Sequence, residues 1–278
     1  MTTTPFQPII LEAGSADKQY WFDLWNFREL LFQLAKRDVS VHYKQTVVGG
    51  LWAVVRPLST VFIMFLVFGK VAKMEADGGV WYPAFNMVAV LAWQIFVTVL
   101  GESSNSLVSN ANLVSKVYFP RMLVPLSTIG VALVDTLVLL PVAIVFVLIA
   151  GIVPDWRIVF APLFLIFAAA SALGFGLTLC SLNVKYRDVR YIIPFILQFG
   201  AYLSPVGYGT SKVPEIYQWA YHLNPVVFAI DGLRWSFLGV GDPFKDCYWL
   251  ASVCVTIVAL FVGIRTFRSI EKTFADVI

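Results

Sequence analysis

Hydrophobic positions in this chain fall into long runs rather than strict alternations. Runs at 51–71, 80–101, 122–152, 158–182, 191–206 and 247–264 predict six membrane segments. The first carries one charge, Arg56, near its start. The third is long enough to tilt and holds Pro125, Pro141 and a carboxylate, Asp135. The fifth is the anomaly. A charged loop with Lys185, Arg187 and Arg190 runs straight into an apolar stretch, 192–203, of only 12 residues. A full span needs about 20. The stretch stops at Ser204-Pro205-Val206-Gly207, and the aromatic region that follows, 207–246, is broken by Pro214, Pro225 and Pro243. Interrupted backbone at membrane depth is tolerated where it is buried in protein or lines a cavity. The pattern therefore predicts a region that dips into the membrane beside a pathway, which points to transport rather than anchoring.

Two stretches outside the runs are amphipathic. In 20–40, Asp23, Asn26, Gln33, Arg37 and Ser40 form a polar stripe at helical spacing, opposite Leu24, Phe27, Leu31, Leu34 and Ala35. Trp21 and Trp25 suit a headgroup layer. This helix lies on the membrane, and it can also gate the way in for an amphipathic substrate. The loop 102–121, ESSNSLVSNANLVSKVYFPR, is polar first and then amphipathic. Its segment 110–116 predicts two helical turns, stopped by Pro120. Such a loop is either an ordinary connection or a short rigid helix for a partner protein to grip.

Composition agrees with a polytopic membrane protein. Hydrophobic residues make up 59% and charged residues 13%, against ~25% charged in soluble domains. The formal charge of +3 gives no reason to expect a nucleic-acid partner. The first 20 residues show no basic and then apolar leader, so the first span is expected to act as the insertion signal. Lys18, Arg28, Lys36, Arg37, Lys44, Lys116, Arg121, Lys185, Arg187, Arg190, Arg265, Arg268 and Lys272 fall on one side of a six-span layout. Lys70, Lys73, Arg157, Lys212, Arg234 and Lys245 fall on the other. The bias predicts cytoplasmic termini. Cys180, Cys247 and Cys254 lie in or beside spans without metal-ligand spacing, so they read as small apolar packing. His42 and His222 stand alone, and no metal site is expected.

Four stretches taken together resemble one family. They are YKQTVVGGLWAVVRPL with VFGKV downstream, NANLVSKVYFPR, NVKYRDVRYIIPFILQFGAYLSPVGY, and HLNPVVFAIDGLRWSFLG. Their order and spacing are similar to the membrane subunit of ABC exporters for cell-surface polysaccharides of the O-antigen, capsule and teichoic-acid type, over roughly 28–265. The resemblance implies an all-α integral membrane fold with six transmembrane helices per protomer. It adds an N-terminal amphipathic interfacial helix and external re-entrant helices between helices five and six. The corresponding divisions are a cytoplasmic 1–50, a membrane domain 51–264 with a coupling helix at 107–121 and a re-entrant region at 205–243, and a cytoplasmic tail 265–278. It further implies two permease copies working with two copies of a separate nucleotide-binding ATPase in the bacterial inner membrane. The cargo would be a lipid-linked polysaccharide on a diphosphate carrier. Asn110, Asn112, Leu113, Lys116, Phe119, Pro120 and Arg121 would touch the ATPase. The chain has no G-x-x-x-x-G-K-[ST] phosphate loop, so ATP and its magnesium are expected on the partner and no cofactor or catalytic residue here. Six spans are half of the usual twelve, which favours a twofold pair with a pathway on its axis.

Sugar rings pack on aromatic faces while their hydroxyls stay wet. Tyr191, Phe195, Phe199 and Tyr202 recur on one helical face, and Phe62, Phe65 and Phe68 make a looser strip; both are pathway candidates or ordinary lipid-facing rings. Arg56 either snorkels to the headgroups or grips the diphosphate, with Arg28, Lys36 and Arg37 assisting. Asp135, read as the one mid-membrane carboxylate, pairs with a cation or hydroxyl or couples to protons, with no second intramembrane acid or His expected beside it. The alternatives are an ABC permease for a drug or small lipid, a membrane enzyme on lipid-linked sugars, and a proton-driven carrier. Scattered acids such as Asp38, Glu102 and Asp188 speak against the enzyme.

Overall fold

The computed structural model describes residues 16–44, 49–186 and 188–271. The tails 1–15 and 272–278, the motif positions 45–48, and the cations Arg187 and Lys272 lie outside the described residues. Everything described is helix, turn or loop, with no strand among the described residues. Twelve α-helices follow in order among them: α1 (Ala16–Asn26), α2 (Arg28–Lys44), α3 (Trp52–Met64), α4 (Tyr82–Ser109), α5 (Ala111–Lys116), α6 (Leu123–Ser127), α7 (Ile129–Ile149), α8 (Ala161–Lys185), α9 (Val189–Leu203), α10 (Glu215–Tyr221), α11 (Pro225–Leu238) and α12 (Trp249–Glu271). Short helical turns lengthen α3 by Phe65–Val71 and α8 by Trp156–Phe160.

Five segments are long and apolar enough to cross a membrane: Trp52–Val71, Tyr82–Ser109, Leu123–Ile149, Trp156–Lys185 and Trp249–Glu271. α9 has 15 residues, about 22 Å at 1.5 Å per residue, short of a ~30 Å hydrocarbon core. α4 is the central post, buried along most of its length against α8, α7, α11 and α3. α8 is sandwiched between α4 and α12. The contact with α12 depends on absent side chains. A Cβ on Gly263 would lie 2.4 Å from the Gly174 carbonyl oxygen, and one on Gly174 would lie 2.7 Å from the Leu260 nitrogen. Helices in lipid gain their association from such close packing.

Tyr20 donates to Glu271 at 3.4 Å, so the first and last described helices meet at one end of the bundle, the near end. The connections after α3, α7 and α9 collect at the far end, where Ser211 donates to Asp77 at 2.6 Å and Arg157 stacks 5.3 Å over Trp235.

The expected boundaries shift at two places. The expected loop at 102–109 is the last two turns of α4. Several of its polar groups bond within the bundle: the Ser104 and Asn105 side chains donate back to the Leu100 and Gly101 carbonyls, and Asn183 donates to the Ser104 carbonyl at 3.0 Å. The last span continues past 264 to Glu271, because Phe267 is fully buried and Glu271 is held by Arg121 and Tyr20.

Candidate functional site

α2 lies along the near end against α6 and α7. Leu34 is buried, with Leu24, Phe27 and Leu31 packed on the core as the amphipathic pattern predicts. Trp21, Phe22, Trp25 and Phe32 face outward. The polar stripe is tied into the bundle. Arg37 donates to Asp38 and to the Asn110 side chain, both at 2.7 Å, and Ser127 donates to Asp38 at 2.8 Å. Arg37, a candidate for the diphosphate, is thus engaged with the hinge between α4 and α5. Arg28 is exposed and sits 5.6 Å over Trp25.

α5 ends at Lys116, and the chain turns extended at Val117, short of Pro120. Asn112, Lys116, Val117 and Tyr118 are exposed, whereas Val114, Phe119 and Pro120 are buried. Leu113 is half-buried on the core. Of the residues expected to meet a partner, Phe119 and Pro120 are buried and anchor the loop, and the Asn110 side chain donates back to the Ser106 carbonyl at 2.9 Å. Val117 and Tyr118 take their place on the surface. Arg121 donates through its backbone to the Glu271 carboxylate at 3.1 Å and through its guanidinium to the Glu271 carbonyl at 2.5 Å. Beside it opens a cavity of about 580 Å³ lined by Tyr20, Phe27, Tyr118 and Arg268.

A second cavity, about 410 Å³, opens beneath α2 between α3, α4, α7 and α9. The buried Asp135 accepts a hydrogen bond from Tyr43 there. Burial and this carboxylate push the Tyr43 phenol up, which keeps it a donor. Asp135 therefore has the hydroxyl partner expected of a structural carboxylate. It is also accompanied, contrary to expectation: Glu102 and His42 line the same cavity with Arg56, Gln94 and Thr98. In the sequence Glu102 reads as the start of a loop, which hides this. The spacing was visible nonetheless, since Gln94, Thr98, Glu102, Ser106 and Asn110 recur every four residues on one helix. A third cavity of about 340 Å³ shares His42 and Glu102 and runs on past Ser106 to Asn110 and Arg37.

On α9, Tyr191, Phe195, Phe199 and Tyr202 are all exposed, with Phe195 and Phe199 ring centres 4.3 Å apart. On the first span Phe62 is exposed, but Phe65 packs on Tyr82 and Phe68 on Tyr208, inside the protomer.

At the far end the break after α9 is held by Arg234 of α11. Buried to 2% exposure, Arg234 donates to the carbonyls of Pro205 at 2.6 Å and Tyr208 at 3.1 Å and lies 3.9 Å from Asp231. Its guanidinium stacks 3.6 Å over Phe85. Tyr82 bonds the Gly207 carbonyl, and Asn224 bonds Ser204 at 2.9 Å. In the sequence Arg234 enters only the cation balance of the far side; a lone Arg in an apolar helix next to a Pro-broken segment is the available signal. Of the cysteines, Cys180 is buried against Ser106, and Cys247 and Cys254 are exposed.

Relatives of known name cover nearly the whole chain. An O-antigen export system permease protein RfbA of Klebsiella pneumoniae is 26% identical over 92% of this chain and 98% of its own. One of the same name from Myxococcus xanthus is 25% identical over 91% and 97%. A polysialic acid transport protein KpsM of Escherichia coli is 24% identical over 85% and 91%. The family model described as ABC-2 type transporter matches residues 29–238, from the start of α2 to the end of α11. The chain is thus a multi-pass membrane protein that belongs to the ABC-2 type transporter family.

Proposed function

We propose that this protein is the permease subunit of an ATP-driven exporter that carries a lipid-linked, O-antigen-like polysaccharide across the bacterial inner membrane. The observation that carries the reading is the run of near full-length relatives named for O-antigen export and polysialic acid transport. A relative named only as an inner membrane transport permease, YadH of Escherichia coli, aligns over just 20% of the chain. That contrast weighs against a drug or small-lipid cargo. In this reading the near end is cytoplasmic, as the cation bias supports. α9 is a thin sixth crossing, and α10 and α11, of 7 and 14 residues, are re-entrant at the external face. Two permeases flank the pathway and two copies of a separate ATPase dock at α5, on Asn112, Lys116 and Tyr118. The α9 stripe, with Phe62, lines the way, and Arg28 and Arg56 meet the carrier diphosphate as it enters.

The test is a deletion strain. Loss of surface polymer with finished lipid-linked chains accumulating inside the cell is the expected result. Normal surface polymer rejects the polysaccharide and leaves the drug or small-lipid permease.

A further inference from the structure

The cavity beneath α2 has a composition that a diphosphate site would not have. Its charged lining is Asp135 and Glu102 against Arg56, with His42 beside them. Two carboxylates at one small cavity repel an anion, and Arg56, 5.9 Å from the Trp52 ring centre, stands at the exposed rim, where a diphosphate would stop rather than enter. The remaining polar groups are an amide and a hydroxyl, Gln94 and Thr98, which touch each other at 3.2 Å. Gln94, half-buried, and Glu102, exposed, are accessible polar groups on a helix that is buried along most of its length. Polar side chains this deep in a span are costly unless something polar meets them. The volume, about 410 Å³, falls within the ~300–1,000 Å³ of small-ligand sites.

Carboxylates, an amide, a hydroxyl and an indole face around one cavity make a set suited to a neutral polyol. Carboxylates and the Gln94 carbonyl accept from ring hydroxyls, the Gln94 amide and Thr98 donate or accept, and Trp52 offers a face to C–H groups. Tyr43 holds Asp135 at the buried base, while Arg56 is exposed at the rim. Gly101 lets α9 approach the cavity wall closely: a Cβ there would lie 3.3 Å from Leu197.

We propose that this cavity is a carbohydrate-binding subsite in which Gln94, Thr98 and Glu102 hold one uncharged sugar unit of the cargo on its way to α9. The inference rests on the polysaccharide reading and adds a defined site to it. A sugar held here lies next to the third cavity, which runs to Asn110 just before α5.

The test uses the full permease purified in lipid nanodiscs. The probes are methyl glycosides of glucose, galactose, mannose, rhamnose and N-acetylglucosamine, read by saturation-transfer NMR, with inorganic pyrophosphate as competitor. At least one glycoside is expected to bind without displacement by pyrophosphate. The near-isosteric Glu102→Gln and Gln94→Leu should each weaken it about tenfold, the loss of one charge-assisted or buried hydrogen bond. A melting curve like wild type shows that the variants are folded. Absence of binding by every glycoside, displacement by pyrophosphate, or unchanged binding in both variants overturns the subsite. The same variants in the deletion strain separate the two ideas. Polymer lost on deletion but exported and bound normally by both variants removes the subsite and leaves the exporter. Sugar binding that depends on Glu102, with surface polymer intact on deletion, removes the exporter and leaves the subsite.

Discussion

Arg234 does for the broken segment what water does for an exposed loop. The chain leaves α9 through Pro205 with carbonyls that no helix partner can reach, and the guanidinium forks onto two of them while facing Asp231. The planar fork is the relevant property, because a lysine ammonium cannot span both carbonyls and the carboxylate. Arg234→Met leaves the Pro205 and Tyr208 carbonyls without their donor and removes the cation facing Asp231, which Thr210 still bonds at 2.8 Å; the loss is about 1–3 kcal/mol for each orphaned buried group. Arg234→Lys should rescue little of it. Thermal unfolding of the detergent-purified protein measures this directly, and a Met variant melting with wild type would show that the break is held by something else. Tyr43 and Asp135 are a smaller case of the same logic, since a mid-bundle carboxylate takes its donor from an interfacial helix rather than from its own span.

Among the elements, the connection from α4 to α6 separates what a partner can touch from what holds the fold. Lys116→Glu with Tyr118→Ala changes two exposed side chains, so it should lower co-purification of the ATPase several-fold while leaving the permease melting point in place. Phe119→Ala should do the reverse: the ring is buried, and its removal costs about 3–5 kcal/mol in a packed core. A double variant that retains its partner fully would move the docking surface away from α5. α8 offers a sharper structural test. Gly174→Val forces a branched side chain against the backbone of α12 at Leu260, so little monodisperse protein should survive extraction. Near-normal yield would mean that the two helices separate without cost. These elements also mark how far the sequence could be read. The spans, the amphipathic α2 and the early end of α9 follow from periodicity and length, which one chain displays openly. The place of Glu102 on α4 and the burial of Phe119 escape a reading of one chain for a common reason. A polar run such as ESSNS looks like a loop until Asn183 satisfies its backbone from another helix, and an aromatic beside Pro120 looks exposed until the bundle folds over it. Both depend on partners distant in sequence, which periodicity does not register.

For the whole molecule, the decisive feature is the outward face of α9. Tyr191, Phe195, Phe199 and Tyr202 form an exposed row on the short α9, while the strip on the first span is divided: Phe62 looks out, and Phe65 and Phe68 pack within. A lipid-facing role would account for the two phenylalanines. The two tyrosines lie near the two ends of α9, where their hydroxyls need water or a partner. In a twofold pair, two such rows facing the axis would give a polymer a ring-lined, wet path with no single tight contact, so chains of varied length can slide. Tyr191→Ala with Tyr202→Ala should therefore slow polymer export several-fold in the complemented deletion strain, while ATP hydrolysis by the reconstituted complex falls by much less. The two rates must be measured on the same preparation. Export and hydrolysis falling together would indicate a damaged fold. Export unchanged would return the α9 face to the lipid and require the polymer to pass elsewhere between the protomers.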